Sequence, residues 1–199
     1  MCVCESWLHA DIEDNELLID GYKIIRLDRN RHGGGIVLYI SNNLSHKVIY
    51  SGVCNFECVI VSIQLGHRKV CVCLLYRPPN SSSDFFDCLY DVLCTLDISL
   101  FSNFLLLGDF NVDFSSHSHP LFSKLVCITS SFLLHQVVNH PTHFSYSGVP
   151  STIDLRFVSH PSNVVSCNTI APLSTSDHMG IHLIYKVPTT CKKSKTPRR

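Results

Sequence analysis

Apolar runs of strand length recur along the chain, separated by turn residues. Three of them, GIVLYIS at 35–41, ECVIVSIQL at 57–65 and KVCVCLLYR at 69–77, predict consecutive antiparallel strands, with a longer loop between the first two. Pro78 and Pro79 end the third strand, because proline has no N–H to donate to a sheet ladder.

Two segments follow the period of a helix instead. DFFDCLYDVLCTL at 84–96 repeats its apolar residues near every 3.6 positions and follows three serines that could cap it. HPLFSKLVCITSSFLL at 119–134 predicts a second helix with Pro120 in its first turn. Between them, NFLLLGDFN at 103–111 is wholly apolar until its polar end, which predicts a strand buried on both faces that opens into a site.

The last third of the chain predicts three more strands after a polar loop. The loop at 138–151 is rich in His, Pro, Ser and Gly, and the strands are expected at 151–159, 166–173 and 178–187. Many strands with two helices indicate an α/β fold in which two packed sheets carry helices on the outside. We expect one domain over residues 1–187.

Composition and charge refine this picture. The 199 residues are 45% hydrophobic, which excludes a disordered chain and suits one buried core. Sixteen basic and sixteen acidic residues cancel, but six of the basic ones and no acidic one lie between Lys186 and Arg199. Residues 188–199 therefore predict a basic, disordered tail. The remaining body is acidic, so it would need a cation to handle phosphates.

The cysteines and the N-terminus argue against secretion. Most of the eleven cysteines lie in apolar runs without a CxxC pair, as is typical of buried free thiols. His140 and His143 form an HxxH, but no cysteine pair lies nearby at ligand spacing, so a zinc site is not predicted. No secretory signal and no run of 18 apolar residues is visible, which predicts no membrane span and no secretion.

Four polar clusters lie at predicted strand ends. Each has a structural explanation when taken alone: a surface acid, an Asx-turn, a turn cap or a structural histidine. Together, carboxylates, an amide and a histidine could converge on one pocket, and hard carboxylate oxygens suit Mg²⁺ or Mn²⁺. This combination fits metal-assisted phosphodiester hydrolysis. The clusters are Glu5, Asp109 with Asn111, Asp154, and Ser176-Asp177-His178.

Asp154 is the least easily explained of these residues. It lies in an apolar strand pattern, where a carboxylate is costly without a partner. His178 is one candidate partner, which predicts a hydrogen bond between residues 24 positions apart. Arg156 is the other, because it points to the same face of a strand two positions on.

Seven short motifs follow one another along the chain: ESWL, GGGIVLYI, LLYRPPN, LLLGDFN, PTHF, STIDL and SDH. In this order they resemble the endonuclease/exonuclease/phosphatase superfamily. They most resemble the endonuclease domain of non-LTR retrotransposons, over about residues 3–187. The resemblance implies a four-layer α/β/β/α sandwich of two mostly antiparallel sheets. It also implies hydrolysis of phosphodiesters with Mg²⁺ or Mn²⁺, DNA as the partner, no small-molecule cofactor and a place in the nucleus.

The resemblance also implies roles for residues around the scissile phosphate. Glu5 matches the glutamate that binds the metal. Asp109 matches the aspartate that orients or deprotonates the attacking water, and Asn111 matches the asparagine beside the phosphate. Tyr76 matches a tyrosine that contacts that phosphate.

A second set of matches surrounds the histidine. His178 matches the catalytic histidine and Asp154 the carboxylate that holds it. Asp177 matches an aspartate near the metal. Thr142 and Ser176 fall at supporting positions.

The sequence departs from the family at its start. Family members begin one strand earlier, with an asparagine that shares the metal site, so we expect that strand to be missing and MCVC to continue into ESWL. A catalytically inactive remnant that at most binds nucleic acid is therefore the alternative function. A phosphatase or phosphoinositide hydrolase of the same superfamily is disfavoured by YRPPN.

Overall fold

The computed structural model of the protein describes residues 1–53, 55–118, 120–145 and 148–188, so the predicted tail lies outside the described residues after Pro188. The described α-helices are α1 (Asp84–Thr95) and α2 (Phe122–Ser131), and short 3₁₀ helices span Asp14–Leu17, Ile98–Leu100 and Pro161–Asn163. In chain order, the described strands are β1 (Cys2–Cys4), β2 (Tyr22–Leu27), β3 (Ile36–Ser41), β4 (Ser45–Val53), β5 (Glu57–Leu65), β6 (Arg68–Tyr76), β7 (Asn103–Asp109), β8 (His135–Gln136), β9 (Asp154–Val158), β10 (Val164–Ile170) and β11 (Gly180–Tyr185).

A six-stranded sheet forms the centre of the fold, in the order β4-β5-β6-β7-β9-β8. Its pairs are antiparallel except β6 and β7, which are parallel. A parallel pair needs a crossover, and α1 lies in the connection between the two strands. β7 is buried along its whole length, as predicted for a strand covered on both faces.

Smaller sheets cover one face of the central sheet and helices cover the other. The small sheets have the orders β1-β3-β2 and β10-β11. Apolar side chains of β3 pack with one face of β5, β6 and β7, and partly buried residues of β10 and β11 join that cluster. The opposite face packs against both described α-helices. Two packed β layers with helices outside confirm the predicted α/β class and are consistent with the four-layer sandwich.

One predicted strand pairing is wrong. The strands at 35–41 and 57–65 are not neighbours, because β3 belongs to a small sheet and pairs with β1 and β2. β4 occupies most of the predicted loop and pairs with β5 instead. β4 is an edge strand with mainly exposed residues, so it lacks the apolar run that marks a buried strand.

The predicted helices are present with shorter bounds. α1 ends one residue early, whereas α2 begins only at Phe122, so Pro120 precedes the helix instead of lying in its first turn. Leu133 has a left-handed backbone (φ 53°), which ends the helical path before the predicted boundary.

The described cysteines are less uniformly buried than their apolar surroundings predict: Cys58, Cys71 and Cys73 are buried, whereas Cys94 and Cys127 are exposed. All nine cysteines within the described residues are free thiols. The α-helices in the described part of the chain have 12 and 10 residues, and none is long and apolar enough to cross a membrane.

Candidate active site

Four neighbouring strands of the central sheet place polar side chains in one row. Glu57 on β5 pairs in register with Tyr76 on β6, Tyr76 with Asp109 on β7, and Asp109 with Asp154 on β9. On its strand, each of the four lies an even number of positions from the apolar residues that face the small sheets, so all four point to that face. Strand register thus unites residues from four distant parts of the sequence at one rim of the sheet.

The row ends in a hydrogen bond to the predicted histidine. Nδ1 of His178 lies 2.9 Å from Oδ2 of Asp154, which confirms the predicted contact. Arg156 is not the partner, since its guanidinium donates to the backbone carbonyls of Leu155 (2.8 Å) and Gly108 (3.4 Å).

The two predicted supporting residues hold the backbone around this pair. The hydroxyl of the fully buried Thr142 accepts hydrogen bonds from the backbone N–H groups of Ile153 (3.2 Å) and Asp154 (3.1 Å). The hydroxyl of Ser176 accepts one from the N–H of His178 (3.1 Å). Both contacts fix where Asp154 and His178 meet.

A tight turn after β7 shapes the next part of the site. Asn111 has a left-handed backbone (φ 47°), and its N–H donates to Oδ1 of Asp109 (2.9 Å). Its amide donates to Oδ2 of Asp109 (3.2 Å) and to the carbonyl of Arg77 (2.7 Å). The Asx-turn proposed as a structural explanation is therefore present, and it orients the Asp109 carboxylate.

Gly108 makes the parallel pairing beside this turn possible. Its φ of 149° is a conformation that L side chains rarely adopt, and a Cβ there would lie 1.8 Å from the carbonyl oxygen of Leu75. Only glycine lets β6 and β7 approach closely at the point where the site begins.

Glu5 reaches the row from a loop that follows β1. The phenol of Tyr76 donates a hydrogen bond to Oε1 of Glu5. Glu5 itself has a left-handed backbone (φ 52°). The N–H groups of the two following residues donate to the carbonyls of Gly35 (3.0 Å) and Gly34 (2.9 Å), which holds this loop against the predicted triple-glycine turn.

Burial and neighbouring carboxylates raise the pKa of Asp109. Burial, together with the negative charge of Asp154 and a smaller effect of Glu5, raises the pKa of Asp109 to about 7. The hydrogen bond from Asn111 and the charge of His178 act in the opposite direction. Asp109 therefore exchanges its proton near neutral pH.

His178 and Tyr76 are held in their protonated forms. Burial disfavours the charged imidazole, but the hydrogen bond and charge of Asp154 outweigh it and raise the pKa of His178 to about 9. Burial, and then the hydrogen bond to Glu5, raise the pKa of Tyr76 well above its usual value. Near pH 7 the site thus offers a cationic imidazole and a neutral phenol.

The donor set suits a divalent cation. Glu5, Asp109 and Asp154 offer hard oxygen ligands, and burial together with the charge of Asp154 raises the pKa of Asp109. One group of described donors within 4.8 Å of one another joins Asp109, Asp154 and His178.

Asp177 belongs to a donor group that does not include the predicted metal ligand Glu5. A second group of described donors within 4.8 Å joins Asp177 with His143 and His178, and Glu5 is in neither of the two groups found among the described residues. The side chain of Asp177 is 51% exposed, and its Oδ2 lies 3.2 Å from Nε2 of His143.

Sequence reasoning missed three residues around the site. Glu57 is buried, accepts a hydrogen bond from the N–H of Gly35 (2.6 Å) and pairs with Arg29 (3.3 Å). A carboxylate in the apolar run ECVIV is the same signal that marks Asp154. Arg77 donates to the backbone beyond Asp109, and only its place in YRPPN marks it. The sequence marks His143 only as part of an HxxH.

Comparison with known proteins supports this fold. The family model described as endonuclease-reverse transcriptase matches residues 70–182. No curated protein matches the chain significantly. Among solved structures, the endonuclease domain of TRAS1, a telomere-specific non-LTR retrotransposon, is 14% identical with a TM-score of 0.68, over 85% of this chain and 82% of that one.

Other similar structures belong to the same fold. An AP endonuclease from Archaeoglobus fulgidus is 14% identical with a TM-score of 0.63, covering 94% of this chain and 88% of that one. TDP2 from D. rerio, complexed with a single-strand DNA product, is 15% identical with a TM-score of 0.63, covering 92% and 83%. At these identities the likeness establishes the fold alone.

Proposed function

The chain belongs to the endonuclease-reverse transcriptase family of the endonuclease/exonuclease/phosphatase superfamily, and from that premise we propose that it is a divalent-metal-dependent endonuclease that nicks DNA. We propose further that it serves a retrotransposon-type protein and acts in the nucleus, where its substrate lies. The observation that carries the activity is the in-register contact of Asp109 with Asp154, and of Asp154 with His178.

Asp109 is the proposed base for the attacking water. A general base works best when its pKa lies near the working pH, and the pKa of Asp109 is raised to about 7. Asn111 fixes both carboxylate oxygens through its N–H and its amide. Direct contact of Asn111 with the phosphate stays a sequence prediction, because its amide already donates to Asp109 and Arg77.

His178 and Tyr76 are the proposed donors to the phosphate. The charged imidazole would stabilise negative charge that develops on a non-bridging oxygen, and Asp154 keeps that imidazole protonated. The phenol of Tyr76 stays protonated at neutral pH, donates a hydrogen bond to Glu5 and stands beside Asp109 in the row.

A divalent cation would be held by Glu5, with the carboxylate of Asp109 as a further oxygen ligand. When bound, it supplies Lewis-acid stabilisation of charge on the phosphate and relieves the repulsion among the carboxylates. The acidic body of the chain makes this cation necessary for affinity toward DNA.

The test is nicking of supercoiled plasmid. We expect Mg²⁺-dependent nicking that EDTA abolishes, and at least an about 100-fold loss in Glu5→Gln. Asp91→Asn is the matched control, because Asp91 is an exposed acid on α1, against the opposite face of the sheet. A folded chain that binds DNA but nicks with neither Mg²⁺ nor Mn²⁺ would establish the alternative, an inactive binding module.

A further inference from the structure

A second cluster of metal-ligating side chains lies at the edge of the site. His143, from the loop before β9, and the pair Asp177-His178, from the turn before β11, meet there. One ligand atom from each of the three lies within 4.8 Å of the other two, and the imidazole centroids of His143 and His178 are 4.7 Å apart. Two imidazoles and one carboxylate are donors that zinc-type ions prefer over magnesium.

In both imidazoles, Nδ1 already contacts a partner that orients the ring. Nδ1 of His178 lies 2.9 Å from Asp154, and Nδ1 of His143 lies 3.2 Å from the hydroxyl of Ser151. Metal-binding histidines characteristically use one nitrogen for such a contact and the other for the metal. The two Nε2 atoms would then face the ion, and that of His143 already lies 3.2 Å from the carboxylate of Asp177, the third proposed ligand.

Backbone contacts fix the two segments to each other. His143 and His178 form an antiparallel bridge, the N–H of Phe144 donates to the carbonyl of Asp177 (2.9 Å), and the N–H of Met179 donates to that of Thr142 (2.7 Å). Ligand atoms around a tetrahedral zinc stand about 3.3 Å apart. His143 and Asp177 already have this spacing, and a ligand atom of His178 lies within 4.8 Å of both.

We propose that His143, Asp177 and His178 bind a zinc-type transition-metal ion, at a site distinct from the magnesium position beside Glu5. The three side chains are 23%, 51% and 31% exposed, so an ion can enter from solvent. Three protein ligands leave one position open to water or phosphate. His178 would serve as a zinc ligand here and as the proposed donor to the phosphate in the active site. It could face the phosphate only when zinc is absent.

Binding is tested directly on the full chain with Zn²⁺ alone. Histidine-selective ¹H–¹⁵N spectra should show the rings of His143 and His178 shifting together and saturating at one equivalent. This readout separates ring coordination from capture by the free thiols. If zinc moves neither ring, the proposal is wrong.

Variants sharpen the same measurement. We expect His143→Ala to bind zinc at least about tenfold more weakly by calorimetry, since it removes one of three ligands. The matched control is His140→Ala, an exposed histidine three positions earlier, which should bind like the wild type. Equal zinc affinity in both variants would overturn the proposal.

A consequence for activity rests on the proposed endonuclease function. Zinc on His178 should inhibit Mg²⁺-dependent nicking, and His143→Ala should raise the half-inhibiting zinc concentration at least about tenfold. A chain without nicking activity would contradict the proposed function but would leave the binding result intact. Nicking inhibited equally in His143→Ala and the wild type would place the inhibiting zinc elsewhere.

Discussion

The two halves of the candidate site are held in different ways. Tyr76, Asp109 and Asp154, the strand-held half, owe their positions to backbone register within the central sheet. Glu5 and His178, the loop-held half, lie outside regular strands, and their side chains reach the row through hydrogen bonds with Tyr76 and Asp154. The first geometry is tied to the folding of the whole sheet, whereas the second can be changed while the sheet stays intact.

This difference predicts which substitutions change stability and activity together. Changes that disturb the strand register should lower the free energy of unfolding and the activity together. Changes to a single contact in the loop-held half should reduce activity at a small cost in stability. Single substitutions in each half test that division.

The largest effect is expected from Gly108→Ala, within the strand-held half. The new Cβ would lie 1.8 Å from the carbonyl oxygen of Leu75, on a backbone with φ of 149° that alanine avoids. We expect the free energy of unfolding in urea to fall by about 3 kcal/mol or more, with loss of nicking.

The matched control is Gly66→Ala. Gly66 also has a positive φ (59°), but no atom lies within 4 Å of the point where a Cβ would stand. It should cost only about 1 kcal/mol, the strain of the backbone alone. Equal losses in the two variants would mean that the approach of β6 to β7 does not fix the row.

The next effect concerns the contact where the two halves meet. Asp154→Asn keeps a side chain of similar size beside His178 but removes its charge. We expect nicking to fall at least about 100-fold, because the imidazole is no longer held as a cation. The circular dichroism of the folded chain should be unchanged. Full activity in this variant would separate His178 from the proposed mechanism.

The same variant makes a prediction about pH. The pKa of His178 is raised from 6.5 to about 9 in the folded protein, so its stabilisation is fully present below pH 6.5 and is lost as the pH rises to about 9. The stability deficit of Asp154→Asn should therefore be largest near pH 6 and vanish above pH 9. Urea unfolding across this range measures it, and a deficit that grows with pH would contradict the assignment.

The strand-held half was also the more predictable one. An apolar run that ends in GDFN, and an aspartate within STIDL, mark buried strands that open into a site, and both signals come from neighbouring residues in the sequence. Because burying a charge without a partner is costly, the sequence predicts a partner for Asp154 and leaves two candidates, His178 and Arg156. In the structure, the partner is His178.

The loop-held half and the sheet order required three-dimensional information. β4 was missed because an edge strand has no continuous apolar run. The contact between His143 and Asp177 joins two turns 34 positions apart, and no pattern in either turn encodes it. The same holds for the loop that carries Glu5, whose backbone bonds to Gly34 and Gly35 continue the long-range pairing of β1 with β3.

A smaller effect is expected from Thr142→Val, which tests the support beneath the strand-held half. Valine preserves the shape but leaves the N–H groups of Ile153 and Asp154 without their acceptor. We expect a loss of about 1–2 kcal/mol in the free energy of unfolding. Thr95→Val, at an exposed position at the end of α1, should change it by less than about 0.5 kcal/mol. Equal changes in the free energy of unfolding of the two variants would show that the buried hydroxyl of Thr142 stabilises the fold no more than an exposed hydroxyl does.

The smallest change in stability, and one of opposite sign, is expected from Asp109→Asn. The folded pKa of Asp109 is raised to about 7, so the folded state retains a proton that the unfolded state releases near pH 4, and stability falls as the pH rises between these values. The asparagine side chain has no proton to release, so it avoids this loss of stability. It also gives up the attraction between the carboxylate and charged His178. At pH 8 without metal, we therefore expect the variant to be about 1 kcal/mol more stable than the wild type and inactive in nicking.

Added Mg²⁺ should stabilise the wild type more than the variant, because the cation relieves a repulsion that only the wild type has. A variant less stable than the wild type under metal-free conditions would mean that Asp109 is already balanced by its protein neighbours, and the need for a cation at the row would lose its physical basis.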